Sequence, residues 1–151
     1  MIKVICVGKL KEKYLADAVM EYSKRISKYS NIQIIEVNDS NVDNEKIALE
    51  REKELILKHI NTKDYIITLE IDGKQLTSIE FASKIDEIFI HNSNITFIIG
   101  SSNGLSTDIL NMANKRISFS KMTFPHGLFR AMLLEQIYRS FKILNNETYH
   151  K

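Results

Sequence analysis

Four short runs of mostly apolar residues, separated by segments with helical spacing, constrain the fold of this chain more than any other feature. The runs are Ile2 to Val7, Ile32 to Val37, Tyr65 to Leu69 and Ile95 to Ile99. Because their Ile and Val residues are nearly continuous rather than alternating, the runs are typical of strands buried on both faces. Strands that alternate with helices favour a parallel sheet covered by helices, so the sequence predicts an α/β fold.

The segments between the runs have apolar residues three to four positions apart, which predicts one amphipathic helix in each. These helices are expected at Tyr14 to Ser27, Glu45 to Ile60 and Ser78 to Ile90. Beyond the fourth run, we expect a short helix from Ser106 to Met112, a last strand from Ile117 to Phe119 and a long helix from Gly127 to Leu144. The long helix is apolar around more of its circumference than one sheet face requires, which suggests a partner subunit as a second contact.

The length and composition indicate one domain, residues 1–151. The chain is 44% hydrophobic and 26% charged, close to globular averages, and has no segment typical of a linker. Its apolar start is too short for a signal peptide or a membrane span, so we expect a cytoplasmic protein with no membrane partner. Cys6 is the only cysteine, the histidines are far apart, and no metal-binding spacing occurs, so we expect no metal site.

Basic residues are concentrated in the last quarter of the chain. Residues 115–151 include seven Lys and Arg against two Glu, whereas the whole chain has a net charge of only +2. Such a concentration is typical of a surface that binds an anionic partner such as RNA. A solvated helix face explains the same charges, and charge alone favours that second explanation.

Three of the five glycines and the only proline lie between Gly100 and Gly127. Because helices and strands disfavour both residue types, this region is predicted to form shaped loops at an edge of the sheet. Gly100 directly follows the fourth run, and the carboxyl ends of parallel strands form the crevice in which open α/β sheets bind ligands. A simple turn through Gly104 explains the first two glycines equally well.

The segment from Phe119 to His126 combines aromatic rings, hydroxyls, a cation and an imidazole. It ends at a predicted helix start, whose free backbone N–H groups favour anions. Core filling at a strand end explains its apolar residues as well. The ring side chains of Tyr149 and His150, at the end of the chain, indicate a tail that docks at a place that the sequence does not define.

Several of these segments together resemble the RlmH family, the pseudouridine-N3 methyltransferases of large-subunit (23S) ribosomal RNA within the SPOUT superfamily. The matching segments are Val7 to Lys11, Ile67 to Glu70, Ile99 to Leu105, Phe119 to His126 and Tyr149 to Lys151. They span the whole chain in the family's order. The resemblance implies a mostly parallel sheet flanked by helices with a C-terminal trefoil knot, a homodimer, and S-adenosylmethionine bound in the knot.

The resemblance also assigns residues to the site. The implied cofactor contacts are Leu69, Gly100, Phe119, Ser120, Lys121, Met122, Thr123 and Phe124. The candidates for binding the substrate or for catalysis are His126, Arg130, Tyr149 and His150, of which Arg130 and His150 are expected to hold the nucleotide and its phosphate. The chain departs from the family pattern at Ser101, where a second glycine is usual, and at Asn145-Asn146, where glycine is common.

The function that the resemblance implies is methyl transfer from S-adenosylmethionine to N3 of a pseudouridine in 23S ribosomal RNA, with the ribosome as a partner. Two alternatives stay open. The first is a non-catalytic RNA-binding module that retains the fold and has lost turnover, for example through Ser101. The second is methylation of a different RNA by the same chemistry. The base that accepts the N3 proton is not assigned.

Overall fold

A computed structural model describes residues 1–151, the whole chain. Five strands and five helices alternate along it. They are β1 (Ile2–Val7), α1 (Lys13–Ile26), β2 (Ile32–Val37), α2 (Glu45–Leu57), β3 (Tyr65–Gln75), α3 (Ser78–His91), β4 (Ile95–Ile99), α4 (Thr107–Met112), β5 (Lys115–Ser118) and α5 (His126–Leu144). All strands are parallel, in the order β2-β1-β4-β3-β5. The predicted α/β fold is confirmed, and the trefoil knot stays a prediction.

The sheet separates two apolar layers. On one face, α1, α3 and α5 cover the larger core, in which Phe97 of β4 is fully buried. On the other face, α2 and α4 cover a smaller core around Ile98 of the same strand. The central strands β1 and β4 are buried almost throughout, as predicted. The prediction was wrong for β2, an edge strand whose Gln33 and Glu36 are exposed.

The longest helix, α5, packs between α1 and α3 as well as on the sheet. Its buried apolar residues include Leu133, Leu134, Ile137 and Phe141. Leu128, at 42% exposure, is its only large apolar side chain among the exposed ones. Two neighbouring helices therefore account for the apolar breadth of α5. The inference from that breadth to a partner subunit is corrected, because the contacts within one chain already bury it.

Strand β3 extends beyond the predicted end at Leu69 to Gln75. Its pairing with β5 shifts between Leu69 and Lys74, which both lie opposite Ile117. A Cβ added at Gly73 would lie 2.6 Å from the backbone carbonyl carbon of Ile117, so this approach of the two strands requires glycine. The irregular stretch before Gly73 turns residues 70–72 toward the cleft described below.

The last strand and the last two helices begin near their predicted positions. Ser106 caps α4 as expected, since its hydroxyl accepts a hydrogen bond from the N–H of Ile109 at 3.3 Å. Pro125 is the N-cap residue of α5. Strand β5 ends at Ser118, so Phe119 lies in the following loop instead of the strand. None of the helices combines the length and the apolar character needed to cross a membrane.

Candidate functional site

An open cleft of about 290 Å³ lies at the carboxyl ends of β3, β4 and β5. Its lining comes from three segments: residues 69–72, where the regular first part of β3 ends, residues 99–104 without Asn103, and most of residues 118–126 with Phe129. This edge is where open α/β sheets bind their ligands, because the loops that leave parallel strands converge there. The cleft is therefore the candidate site that the glycine and proline cluster indicated.

The cleft brings together seven of the eight residues implied as cofactor contacts. They are Leu69, Gly100, Phe119, Ser120, Met122, Thr123 and Phe124. Lys121, the eighth, is exposed and does not line the cleft. Glu70, Ile71 and Asp72 also line the cleft. Glu70 belongs to the matching segment Ile67 to Glu70, whereas Ile71 and Asp72 were missed because the apolar run of β3 ends at Leu69.

The turn after β4 shows why glycine occurs twice in residues 100–104, which we call the cofactor loop. A Cβ added at Gly100 would lie 2.3 Å from the carbonyl oxygen of Gly104, so any other residue would displace the turn. Gly104 has a φ of 77° and donates its N–H to the carbonyl oxygen of Ser101 at 2.9 Å. The turn through Gly104 is therefore confirmed, and a close approach of this backbone to a ligand stays a prediction.

Aromatic rings form one wall of the cleft. Phe129 of α5 is edge-on to Phe119 at 5.0 Å between ring centroids and stacks with Phe124 at 6.4 Å. Phe119 also contacts the core ring of Phe81. The rings therefore serve both roles that the sequence allowed, since they line the cleft and extend the core to its edge.

The charged side chains that line the cleft are carboxylates. Glu70 and Asp72 lie on its rim, and no Lys or Arg lines it. Glu70 forms an ion pair with Arg116, while Asp72 has no salt-bridge partner. His126 is the only imidazole in the lining. Such a site favours a ligand that carries positive charge, because like charges would repel an anion at this rim.

Arg130, a predicted phosphate ligand, is buried outside the cleft at 3% exposure. Its Nη1 donates to Oε2 of Glu36 at 2.6 Å and its Nη2 donates to the carbonyl oxygen of Gly8 at 3.1 Å. Burial alone would raise the pKa of Glu36, but hydrogen bonds from Arg130 and from the Leu10 N–H hold that pKa below its usual value. Within one chain, Arg130 therefore fixes the loop between β1 and α1. The expected contact with substrate stays a prediction.

The C-terminal tail docks on α5 of its own chain. The Tyr149 hydroxyl donates to Oε1 of Glu135 at 3.1 Å, and its ring lies edge-on to Tyr138 at 4.9 Å. The Arg139 guanidinium lies 4.8 Å from the centre of the Tyr149 ring and 3.1 Å from Nδ1 of His150. Burial, together with the Glu135 hydrogen bond, raises the pKa of Tyr149 to about 12. The phenol is therefore protonated at neutral pH.

The four candidate catalytic residues are not brought together within one chain. His126 lines the cleft at the start of α5, whereas the tail contacts Glu135, nine residues later. Nine residues of α-helix span about 14 Å. Tyr149 and His150 are therefore separated from the cleft of their own chain, and Arg130 is buried between the two places.

Most cations of the basic last quarter are already neutralised by ion pairs. The pairs are Arg116 with Glu70, Arg130 with Glu36, Arg139 with Glu135, and Lys142 with Glu147. Only Lys115, Lys121 and Lys151 remain without a salt bridge, which leaves less free charge than the sequence count suggested. This result fits the explanation that charge alone favoured, a helix face whose cations are paired, and leaves binding of RNA by this segment a prediction.

Two free cations that the charge count did not single out lie in the loop between β1 and α1. Lys9 and Lys11 are exposed and form no salt bridge. Leu10 between them lies against the start of α5, since a Cβ added at Gly127 would be 2.9 Å from its Cδ2 atom. The loop is therefore next to His126 and the cleft. The alternating lysines after the first run were the available sequence signal.

Other reactive groups lie away from this site. Cys6 is 1% exposed in β1, and burial raises the pKa of its thiol to about 12, so the thiolate is not accessible at neutral pH. No group of three or more His, Cys, Asp or Glu side chains is placed to hold a metal ion.

Comparison with known proteins gives consistent matches. A family model described as "Predicted SPOUT methyltransferase" matches residues 1–150. A protein of Methanococcus maripaludis (strain C5 / ATCC BAA-1333) is 56% identical over 158 residues, covering 99% of both chains. The ribosomal RNA large subunit methyltransferases H of Clostridium botulinum (strain Okra / Type B1) and Clostridium tetani (strain Massachusetts / E88) are 52% and 51% identical over 157 residues, each covering 99% of both chains.

Among solved structures, "a probable methylase family protein" from Haemophilus influenzae Rd KW20 has a similar fold. It is 14% identical, with a TM-score of 0.61, and the match covers 99% of this chain and 70% of that one. A parallel α/β sheet with these sequence matches and a ligand cleft at its carboxyl edge defines a methyltransferase. The chain belongs to the SPOUT methyltransferase family. The family resemblance seen in the sequence is thereby confirmed.

Proposed function

We propose that this chain transfers a methyl group from S-adenosylmethionine to N3 of a pseudouridine in large-subunit ribosomal RNA. One observation carries the proposal: a SPOUT fold brings seven of the eight implied cofactor contacts to one cleft. The names of the clostridial relatives, 51–52% identical, support ribosomal RNA as the target. The resemblance to the RlmH family supports the pseudouridine and its N3 atom.

The cleft fits S-adenosylmethionine in shape and in charge. The missing side chain at Gly100 lets the cofactor loop close against Gly104 at the edge of the cleft, and the aromatic wall suits a purine ring. The cofactor carries a positive sulfonium, which the unpaired carboxylate of Asp72 complements, while Glu70 is already paired with Arg116. When bound, it supplies a methyl group that is already activated for transfer.

The residues of this chain then have to align the target base, exclude water and help to remove the N3 proton. His126 is our candidate to accept that proton, because it is the only imidazole that lines the cleft and a neutral imidazole nitrogen can accept a proton. Tyr149 is a poor base in its docked position, since its pKa is raised to about 12. Arg130 does not line the cleft and is held in an ion pair with Glu36.

A homodimer, which we also propose, would bring the tail of one subunit to the cleft of the other. The separation of Tyr149 and His150 from the cleft of their own chain supports this arrangement. The tail is held in a defined conformation by Glu135, Tyr138 and Arg139, as a preformed contact surface would be. The dimer would complete a site that one chain leaves divided.

The ribosomal RNA would approach over the loop between β1 and α1. Lys9 and Lys11 are exposed there, free of salt bridges and next to the start of α5. Phosphate contacts by Lys supply sequence-independent affinity, while the cleft selects the base. A ribosomal target places the protein in the cytoplasm.

Mass spectrometry of large-subunit RNA tests the function directly. RNA from a strain that lacks this gene should lack one N3-methylated pseudouridine, and the wild-type gene should restore it. A deletion strain with an unchanged methylation pattern would refute this target and leave methylation of another RNA. Calorimetry with S-adenosylmethionine separates the remaining alternative, because a non-catalytic RNA-binding module has no need to bind it.

The role of the tail has its own test. A protein that ends at Glu147 should fold, bind S-adenosylmethionine and fail to methylate ribosomes, whereas removal of Lys151 alone should leave methylation unchanged. Full turnover by the protein that ends at Glu147 would show that Tyr149 and His150 are dispensable.

A further inference from the structure

A buried carboxylate without a counter-charge lies behind the cofactor loop. Glu52 of α2 is 2% exposed and forms no salt bridge. The neighbouring cation, Lys53, pairs instead with Glu50 and Asp108. Burying an unpaired charge is costly unless its oxygens are hydrogen-bonded, so the partners of Glu52 show what it does.

Both oxygens of Glu52 accept hydrogen bonds from loops at the carboxyl edge of the sheet. Oε1 accepts from the hydroxyl of Ser101 at 2.7 Å, and Oε2 accepts from the N–H of Ser40 at 2.9 Å. Ser40 belongs to the loop that follows β2, and Ser101 belongs to the cofactor loop. Hydrogen bonds to an ionised carboxylate are about twice as strong as those between neutral groups.

Ser101 passes this restraint to the rest of the cofactor loop. Its hydroxyl oxygen accepts from the N–H of Asn103 at 3.3 Å, and its carbonyl oxygen accepts from the N–H of Gly104 at 2.9 Å. Gly104 in turn closes against Gly100, where no side chain fits between them. Ser101 is itself 9% exposed and borders the cleft.

We propose that Glu52 is a positioning residue for the cofactor: through Ser101, it holds the cofactor loop in the conformation that binds S-adenosylmethionine. The identity of the ligand rests on the proposed function, but the restraint on the loop does not. Ser101 then has a reason to replace the usual glycine, because its hydroxyl supplies a donor that the buried carboxylate needs. Its side chain strengthens the loop instead of disabling it.

The first measurement is amide hydrogen exchange in the protein without ligand. Glu52→Ala and Ser101→Ala should each speed the exchange of the Asn103 and Gly104 amides by roughly tenfold or more. This factor corresponds to the free energy lost with one buried hydrogen bond to a carboxylate. The second is the Kd for S-adenosylmethionine by calorimetry, which should rise by a similar factor. The double variant should lose less than the sum of the two single variants, because both changes break the contact between Glu52 and Ser101. Each change also breaks a contact of its own, with the Ser40 N–H for Glu52→Ala and with the Asn103 N–H for Ser101→Ala, so the Gly104 amide is the more direct readout.

Glu52→Gln tests whether hydrogen bonding suffices. The amide oxygen can accept from the Ser40 N–H while the amide nitrogen donates to the Ser101 hydroxyl. The amide exchange rates and the Kd of this variant should therefore stay within about threefold of the wild-type values, a smaller change than the loss of one buried hydrogen bond causes. It also keeps the test valid if Glu52→Ala does not fold.

Asp64→Asn is the matched control. Asp64 is another buried carboxylate, and it accepts hydrogen bonds from the Asn61 N–H and the Thr96 hydroxyl, each at 3.0 Å, at the opposite edge of the sheet. Unlike Glu52, it also has a counter-charge, Lys3, at 3.2 Å, so the control matches Glu52 in burial and hydrogen bonding and not in charge. Asp64→Asn should lower the melting temperature without changing the exchange rates of the loop amides or the Kd for S-adenosylmethionine.

Glu52 and Ser101 variants that behave like Asp64→Asn would overturn the proposal and leave Glu52 a purely structural residue. If the wild-type protein does not bind S-adenosylmethionine, the proposed function fails instead. In that case the amide exchange decides alone: faster exchange in the variants supports the restraint by Glu52, and unchanged exchange overturns it.

Discussion

Replacing Arg130 with Met distinguishes a structural arginine from a substrate-binding one. The side chain is 4% exposed and makes two charged hydrogen bonds, to Glu36 at 2.6 Å and to the Gly8 carbonyl at 3.1 Å. Met keeps the apolar stem of the side chain and removes both bonds. A hydrogen bond to a charged group contributes about 1.5–3 kcal/mol. Because Glu36 is partly exposed and can recover water, we expect a total loss near the lower end, about 3 kcal/mol.

Thermal unfolding followed by circular dichroism measures this loss. For a domain of about 150 residues, about 3 kcal/mol lowers Tm by roughly 6–12 °C. The loss should depend on pH. The Arg130 hydrogen bond helps to hold the pKa of Glu36 below its unfolded value of about 4.3, so its stabilisation is present above that pH and disappears as acid protonates the folded carboxyl. The difference between wild type and Arg130→Met should therefore be full at pH 7 and shrink below about pH 4.

Lys121→Met is the control, because it removes an exposed cation that has no salt bridge and does not line the cleft. It should leave Tm unchanged. An Arg130→Met protein with the wild-type Tm but without RNA methylation would refute the structural role, and Arg130 would then be a substrate ligand as the family resemblance suggested.

Three further predictions follow from single contacts. Gly100→Ala places a Cβ 2.3 Å from the Gly104 carbonyl oxygen, so it should cost about 1–3 kcal/mol in denaturant unfolding and abolish S-adenosylmethionine binding in calorimetry; normal binding would show that the loop adapts. The raised pKa of Tyr149 means that docking of the tail is stable below about pH 10 and is lost as pH rises toward 12; the alkaline absorbance difference between wild type and Tyr149→Phe checks this, and a titration near 10 would contradict it. Lys9→Ala/Lys11→Ala should reduce the salt slope of ribosome binding by about 1.5–2, and an unchanged slope would place the phosphate contacts elsewhere.

The fold was predictable where one local signal dominates. Strands β1, β2 and β4 have the predicted bounds because their Ile and Val runs begin and end abruptly. Strand β5 was misplaced by two residues, because Lys115 and Arg116 pair with β3 by backbone hydrogen bonds that charged side chains do not reveal. The extension of β3 was missed for a related reason: it depends on the close approach of Gly73 to Ile117, which lies far away in the sequence.

The loops that form the site could be predicted from the sequence, but the residues that hold those loops in place could not. Glycine, proline and aromatic residues identified the cofactor loop and the segment from Phe119, because unusual residue types mark unusual conformations. Glu52 gave no such signal. On a helix, a glutamate among Arg51 and Lys53 is typical of a solvated face, and only the fold shows that it turns inward to Ser101. The breadth of the apolar surface on α5 was also ambiguous, because neighbouring helices of the same chain and a second subunit would both require it.

The charge distribution shows why a count of basic residues misplaces an RNA surface. A count weights every Lys and Arg equally, but four cations of the last quarter form ion pairs, and one of them, Arg130, is buried. What remains free near the cleft is Lys9 and Lys11 on one side and Lys121 on the other. The paired arginines instead stabilise neighbouring segments. Arg130 fixes the loop that contains Lys9 and Lys11, and Arg139 contacts Tyr149 and His150 of the tail. The basic quarter would therefore act on RNA largely through the residues that it positions.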